Sequence, residues 1–214
     1  RRRIRRMRAI AIDANEHGGL GSLVDEMHQL RARMFAHRLG CQVRIEYGRE
    51  RDEYDALNPT YILALTNHGG VAGCARLLPT TGPTMLSRTC PQLLPGGGLR
   101  SKSTRIESSR VCLLDTRVGR RGGRFLHEAT LTMFAGMIEW SMSNGFGEIA
   151  TATDVRFERI LQRAGWPMTR FGGVKLIGET MSVAGILPAG QASFNRVCPP
   201  GYRSDLRHLQ RVAA

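Results

Sequence analysis

Aromatic side chains make up only 6% of this chain, with four tyrosines and two tryptophans among 214 residues. Proteins that hold single-stranded nucleic acid stack its bases on aromatic platforms. A chain this poor in them, with no recognition motif, is not expected to bind nucleic acid. No apolar run approaches the roughly 20 residues of a membrane span, and no signal-peptide apolar stretch follows the basic N-terminus. The expectation is therefore a soluble, cytoplasmic protein with no membrane partner. Cys41, Cys74, Cys90, Cys112 and Cys198 are odd in number, scattered, and include no C-x-x-C pair. That argues against a zinc site and against a secreted disulfide framework, and leaves small core residues. His28, His37, His68, His127 and His208 show no metal-ligand spacing and read as incidental. No metal is expected.

Carboxylates are also scarce, 18 against 31 lysines and arginines, which gives a net charge of +13. Arg1, Arg2, Arg3, Arg5 and Arg6 supply five of those charges; without them the charge is still +8. We read Met7 as the natural start, residues 1–6 as a basic extension of non-native origin, and 7–214 as one domain. A basic surface attracts nucleic acid, anionic lipid or an acidic protein. The apolar fraction of 42% is ordinary, and a chain of this length can bury roughly 70% of its unfolded surface in a core.

Ala9–Ile12 begins a strand. Leu23, Met27, Leu30 and Met34 recur at helical spacing and predict an amphipathic helix over 22–39, with Ser22 as its cap and Gly40 as its stop. Residues 41–60 read as an ordered polar loop. Tyr61–Thr66 and Val71–Leu77 read as strands joined at Asn67-His68-Gly69-Gly70. The stretch 79–103 carries four prolines and reads as a long connection, of the kind that is functional or mobile. A strand over Ile106–Leu114, a helix over Phe125–Asn144, a strand over Glu148–Thr153 and a helix from the Asp154 cap to Ala164 follow, with short strands near 174–186. This succession predicts an α/β sandwich around a mixed sheet.

Six charged residues stand out. Arg31 follows Leu30 at the margin of the apolar stripe. Asp52 and Asp55, three apart, share one side of a helical turn. Arg76 interrupts the apolar strand Gly73-Cys74-Ala75-Arg76-Leu77-Leu78. A charge there is costly unless paired, and Asp52, Asp55 and Glu107 are the candidate partners. Glu107 and Arg110 would face opposite ways in a regular strand, so a bulge is needed if both serve one site. Such a set can hold a zwitterion, carboxylates taking its ammonium and arginines its carboxylate. It can equally be a salt-bridge network that ties the sheet to the first helix.

On these residues the chain resembles the LuxI-type acyl-homoserine-lactone synthases, and within them the TraI-like branch. The matching stretches are Leu30-Arg31-x-x-x-Phe35 with Arg38-Leu39, Glu50-Arg51-Asp52-Glu53-Tyr54-Asp55, Gly73-x-x-Arg76-Leu77-Leu78-Pro79, Gly82-Pro83-Thr84-Met85-Leu86 and Glu107-Ser108-Ser109-Arg110. The resemblance implies an N-acetyltransferase-like three-layer α/β sandwich around a mixed, mostly antiparallel sheet. It implies an acyltransferase that joins the amine of S-adenosylmethionine, a substrate rather than a cofactor, to an acyl group on acyl carrier protein. The lactone then closes and methylthioadenosine leaves, giving a quorum-sensing signal. It makes Arg31, Asp52, Asp55, Arg76, Glu107 and Arg110 the catalytic set, with Arg31, Phe35, Asp52, Asp55 and Arg110 on adenosylmethionine. A protonated amine needs a base before it can attack, and Glu107 is the candidate. Trp140, Thr151 and Thr153 are candidates to line the acyl chain, the threonines toward a 3-oxo group. Arg156, Arg159 and Arg163 share one helix face and are the candidate dock for the acidic carrier; the alternative there is an ordinary solvated face.

Two positions depart from the family pattern. Cys41 and Cys90 stand where the family usually has Trp and Phe. An aromatic face near a sulfonium is worth about 0.5–2 kcal/mol, so weakened adenosylmethionine binding, down to an inactive family member, is the alternative. A coenzyme-A-dependent N-acyltransferase of related fold is the other. It would need an Arg/Gln-x-x-Gly-x-Gly/Ala phosphate loop, which Arg120-Arg121-Gly122-Gly123-Arg124-Phe125 begins but ends in Phe.

Overall fold

The structure, a computed structural model, describes residues 7–13, 19–37, 43–114 and 122–206, and for 36–37 and 122–127 the backbone alone. The basic extension 1–6, Cys41, Arg120 and Arg121 lie outside the described residues. In chain order the first elements are β1 (Arg8–Asp13), α1 (Gly21–His37), β2 (Ile45–Glu46), β3 (Arg49–Glu50), β4 (Thr60–Leu65) and β5 (Val71–Pro79). Next come α2 (Met85–Arg88), β6 (Arg105–Leu113), α3 (Gly122–Ser143), β7 (Glu148–Asp154) and α4 (Val155–Arg163). Last are β8 (Thr169–Arg170), β9 (Lys175–Ile177), β10 (Thr180–Pro188), α5 (Gln191–Val197) and β11 (Arg203–Asp205).

The chain forms two compact units, one of Arg1–Ala75, Arg110–Met137 and Cys198–Ala214, the other of Arg76–Ser109 and Ile138–Val197. In the first, the strand order is β11-β1-β4, then the opening half of β5 and the closing half of β6. β1 runs antiparallel to β4, with Ile10 opposite Leu63, and parallel to β11. Both faces of this sheet are covered, so its strands read as apolar runs rather than alternations. Ile10, Ile12, Leu63 and Leu65 form one cluster with Val24, Met27 and Leu30 of α1. On the other face α3 comes so close that a Cβ on Gly136 would lie 2.7 Å from the Ala9 Cβ.

The second unit orders the closing half of β5, the opening half of β6, β7, β10 and β8, with β9 on β10. β6 and β7 are parallel; β7–β10, β10–β8 and β10–β9 are antiparallel. Within it the 79–103 connection is ordered rather than a bare loop. Thr84 and Ser87 form a capping box around α2. Leu86, Cys90, Leu93 and Leu94 are buried in one cluster with Ala150 and Ala184, which anchors the connection through its own apolar side chains.

The polar stretch 41–60 also holds more structure than its composition predicts. β2 and β3 form a two-residue hairpin whose Tyr47 and Gly48 both have positive φ, 52° and 75°. This is the turn that matches strand twist. Asp52 and Asp55 then cap a single 3-10 turn, Glu53–Ala56.

Candidate active site

In the first unit the chain closes on Arg31, fully buried although its spacing places it at the stripe's margin. Its Nε donates to Glu50 Oε2 at 2.5 Å, and Nη1 and Nη2 donate to Asp55 Oδ1 and Oδ2 at 2.8 and 2.9 Å. Burial opposes a charge there, but the bonds and charges of Asp55 and Glu50 prevail and raise the guanidinium pKa. Arg110 Nη2 lies 3.0 Å from Glu50 Oε1 and 2.9 Å from Asp52 Oδ2. Asp52 Oδ1 accepts from the Tyr54 amide and Asp55 Oδ2 from the Asp52 amide, so both carboxylates are set by the 3-10 turn itself. The bend expected in β6 is at Arg110, whose φ is 52°. A left-handed non-glycine residue is held by its surroundings at a cost of about 1–3 kcal/mol, and its guanidinium lies 5.2 Å over the Phe35 ring.

Glu50 is the member that spacing did not single out. It is fully buried, accepts a hydrogen bond from Arg31 and forms an ion pair with Arg110. An acid inside the charge-rich Glu50–Asp55 run carries no periodic mark, and only the hairpin turns it inward. His28, read as incidental, is also part of the arrangement. It is buried, its Nδ1 donates to the Glu50 carbonyl at 2.8 Å, and it stands edge-on to Tyr61. Tyr61 in turn donates its hydroxyl to Asp55 Oδ1 at 2.9 Å. Burial, then the neighbouring Arg31 charge, lowers the His28 pKa to about 4. Among the described residues, two guanidiniums, Arg31 and Arg110, thus meet three carboxylates, Glu50, Asp52 and Asp55.

In the second unit Arg76 and Glu107 are buried. Arg76 donates from Nε to Ser109 Oγ at 3.1 Å and from Nη2 to Met85 Sδ at 3.8 Å. Glu107 accepts from the Met85 and Leu86 amides at 3.1 and 2.6 Å. Its pKa is raised: burial outweighs those bonds, the Thr84 hydroxyl and the Arg76 charge. β6 and β7 pair Glu107 with Ala150 and Ser108 with Thr151. Paired residues share a face and neighbours alternate, so Glu107 is on the face of Ala150 and of the Leu86–Cys90 cluster. Cys90 is one of the buried residues of that cluster.

Thr151 and Thr153 take the opposite face of β7, and Thr151 Oγ1 donates to the Ser108 carbonyl at 2.9 Å. Trp140 stacks on Phe146 with centroids 5.9 Å apart. Arg156, Arg159 and Arg163 are exposed on α4, whose N-terminus the Asp154 carboxylate caps by accepting from the Arg156 and Phe157 amides. Cys74, Cys90, Cys112 and Cys198 are free thiols, the first three buried. Among the described residues no group of His, Cys, Asp and Glu could hold a metal ion, and no helix is long and apolar enough to cross a membrane.

Comparison with known proteins adds to this geometry. The autoinducer synthase family model matches residues 20–197. An acyl-homoserine-lactone synthase of Rhizobium radiobacter is 57% identical over 198 residues, 92% of this chain and 93% of that protein. The crystal structure of the acyl-homoserine-lactone synthase LasI aligns with TM-score 0.79 and 31% identity, covering 91% of this chain and 96% of its own. That of TofI, in a ternary complex with an inhibitor and MTA, aligns at 0.71 and 26%, covering 85% and 92%. A putative N-acetyltransferase from Lactobacillus plantarum shares the fold alone, at TM-score 0.53 and 14% identity over 86% of this chain and 99% of its own.

Proposed function

The chain belongs to the autoinducer synthase family and is an acyltransferase that makes acyl-homoserine lactones, and we propose that it does so in the cytoplasm from S-adenosylmethionine and an acyl group on acyl carrier protein. The observation that carries the adenosylmethionine half is the Arg31 cluster. Its carboxylates, Asp52 and Asp55, are held in place by hydrogen bonds the fold has already made, which suits a substrate that brings an ammonium and a sulfonium. Arg31 and Arg110 supply the counter-charge for that substrate's carboxylate. The MTA in the related TofI structure, read as methylthioadenosine, fits the same substrate.

The reaction needs four changes of bonding. A base takes a proton from the substrate ammonium; the amine forms a bond to the thioester carbonyl carbon; the carbon–sulfur bond breaks and the carrier leaves as a thiol. The substrate's own carboxylate oxygen then attacks its γ-carbon and displaces methylthioadenosine. We assign the base to Glu107, directly or through a water, because burial raises its proton affinity toward the value an amine base needs. Arg76, through Ser109 and its charge beside Glu107, sets that carboxylate's surroundings. The apolar cluster of Leu86, Cys90 and Ala150 shares the Glu107 face and suits the acyl chain.

The test is the purified chain with adenosylmethionine and acyl-loaded carrier protein. Methylthioadenosine and a lactone of the donor's acyl length should appear in equal amounts, and neither should form with Glu50→Ala. Absence of methylthioadenosine with every donor would refute the reading.

A further inference from the structure

α2 spans four residues, Met85–Arg88, too few to be stable as an isolated helix. A reciprocal pair of side chains holds its first turn. The Ser87 amide donates to Thr84 Oγ1 at 3.2 Å, and the Thr84 amide donates to Ser87 Oγ at 3.3 Å. Ser87 Oγ in turn donates to the Thr84 carbonyl at 3.0 Å. The first amides of a helix have no partner within it, and a capping box satisfies only part of them. Here the amides of Met85 and Leu86 donate to Glu107 Oε1 and Oε2 at 3.1 and 2.6 Å. One amide on each oxygen fixes the plane of the carboxylate as well as its place. Glu107 thus completes the cap that Thr84 begins, and Thr84 is only 1% exposed, so water does not compete for these bonds.

The box uses Thr84 Oγ1 as an acceptor and leaves its proton to be given elsewhere. Ser87 Oγ, 2.8 Å away, is one taker; the Glu107 carboxylate is the other. A hydrogen bond to an ionised oxygen is about twice as strong as one between neutral groups, so the ionised carboxylate takes precedence. Once Glu107 has gained a proton that preference lapses, and the hydroxyl can turn back to Ser87. Among the described residues, Arg76 on β5 is the charged group beside Glu107. β7 presents Ala150 and α2 presents Met85 and Leu86, which do not titrate, and Cys90 is the thiol of the same cluster.

We infer that Thr84 is the positioning residue for Glu107: through the α2 turn it aims the carboxylate, and through its hydroxyl it favours the ionised form that takes the proton from the substrate ammonium. The inference rests on the assignment of Glu107 as the base and deepens it. Thr84 acts on Glu107 and has no need to touch the substrate. Removing a donor to the charged form of an acid makes that form harder to reach, so loss of the hydroxyl shows itself in the pH at which the base becomes competent.

The test follows kcat/KM for methylthioadenosine release against pH in the wild type, Thr84→Val, Thr84→Ser and Ser87→Ala, with Tm measured for each. Valine nearly keeps the volume of threonine and removes the hydroxyl. The expected result in Thr84→Val is an acid limb moved up by about one pH unit. Its kcat above that limb should fall about ten-fold, with KM for adenosylmethionine within about two-fold. Thr84→Ser should keep the wild-type limb. Ser87→Ala loses the reciprocal half of the box but keeps the Thr84 hydroxyl, so its Tm should fall while its limb stays in place. An unmoved limb in Thr84→Val would overturn the inference. A limb moved equally in Ser87→Ala would overturn it too, because the effect would then belong to a loosened turn. An acid limb that survives in Glu107→Gln would instead remove the base assignment beneath the inference.

Discussion

His28 holds Glu50 by its backbone: the imidazole Nδ1 donates to the Glu50 carbonyl at 2.8 Å, while Glu50's carboxylate holds Arg31. A carbonyl can only accept, so the proton is on Nδ1. The same ring meets Tyr61 edge-on at 6.1 Å, and Tyr61 holds Asp55. One neutral histidine thus braces both carboxylates that grip Arg31. His28→Phe fills the space but leaves the buried carbonyl without its donor, a loss of about 1–3 kcal/mol. We expect the KM for adenosylmethionine to rise about five-fold or more, with acyl-donor KM unchanged. His28→Asn, whose amide can occupy the Nδ1 position, should restore it. Equal kinetics for the two variants would show that the bond does not position the cluster.

The same histidine gives an acid limit to stability. Its folded pKa is about 4 against an ordinary 6.5, so on acidification the unfolded chain takes the proton first. Its contribution is present above pH 6.5 and is lost as pH falls toward 4, by at most about 3 kcal/mol. Urea unfolding at pH 7 and pH 5 should show a smaller acid loss for His28→Asn than for the wild type. Parallel losses would disprove the assignment.

Glu50→Ala removes one carboxylate shared by a fully buried arginine and by Arg110. Breaking a buried ion pair from one side costs about 3–5 kcal/mol because the remaining charge stays buried. Denaturant midpoints should fall accordingly, and a change below about 1 kcal/mol would mean that the pair is solvated.

Glu107 has the opposite linkage. Its pKa is raised in the fold, so the unfolded chain releases the proton first and stability declines as pH rises through the window between the two values. As the proposed base it must be ionised, so kcat/KM should fall below its raised pKa. Glu107→Gln should lose about 10²–10⁴-fold in rate and also that acid limb. Retention of the limb in the variant would assign it to another group.

Gly136→Val tests the packing of α3 on β1. The added Cβ would meet Ala9 Cβ at 2.7 Å and Ile62 Cγ2 at 3.2 Å. Overpacking of this kind costs about 1–3 kcal/mol, and calorimetry should show a lower Tm. An unchanged Tm would mean that the helix can withdraw without loss.

The chain's sequence by itself determined its periodic elements and its family. Met27 and Leu30 marked the buried side of α1, the apolar runs of β4 and β5 marked two strands joined by a turn, and Asp154 marked the start of α4, because each is written locally in spacing or capping chemistry. The motifs around Arg31, Asp52, Asp55, Arg76, Glu107 and Arg110 carried the resemblance for the same reason. Only the tertiary structure decided what those charges touch. Arg31 moved from a stripe margin to full burial because the β2–β3 hairpin, too short for any alternation to show, brings Glu50 over it. Arg110 turns at φ 52°, a value no residue type announces except glycine. His28 and Tyr61, ordinary in sequence, acquired their places because hydrogen bonds between residues 22 and six positions apart depend on how the chain folds back, and one-dimensional spacing contains no record of that.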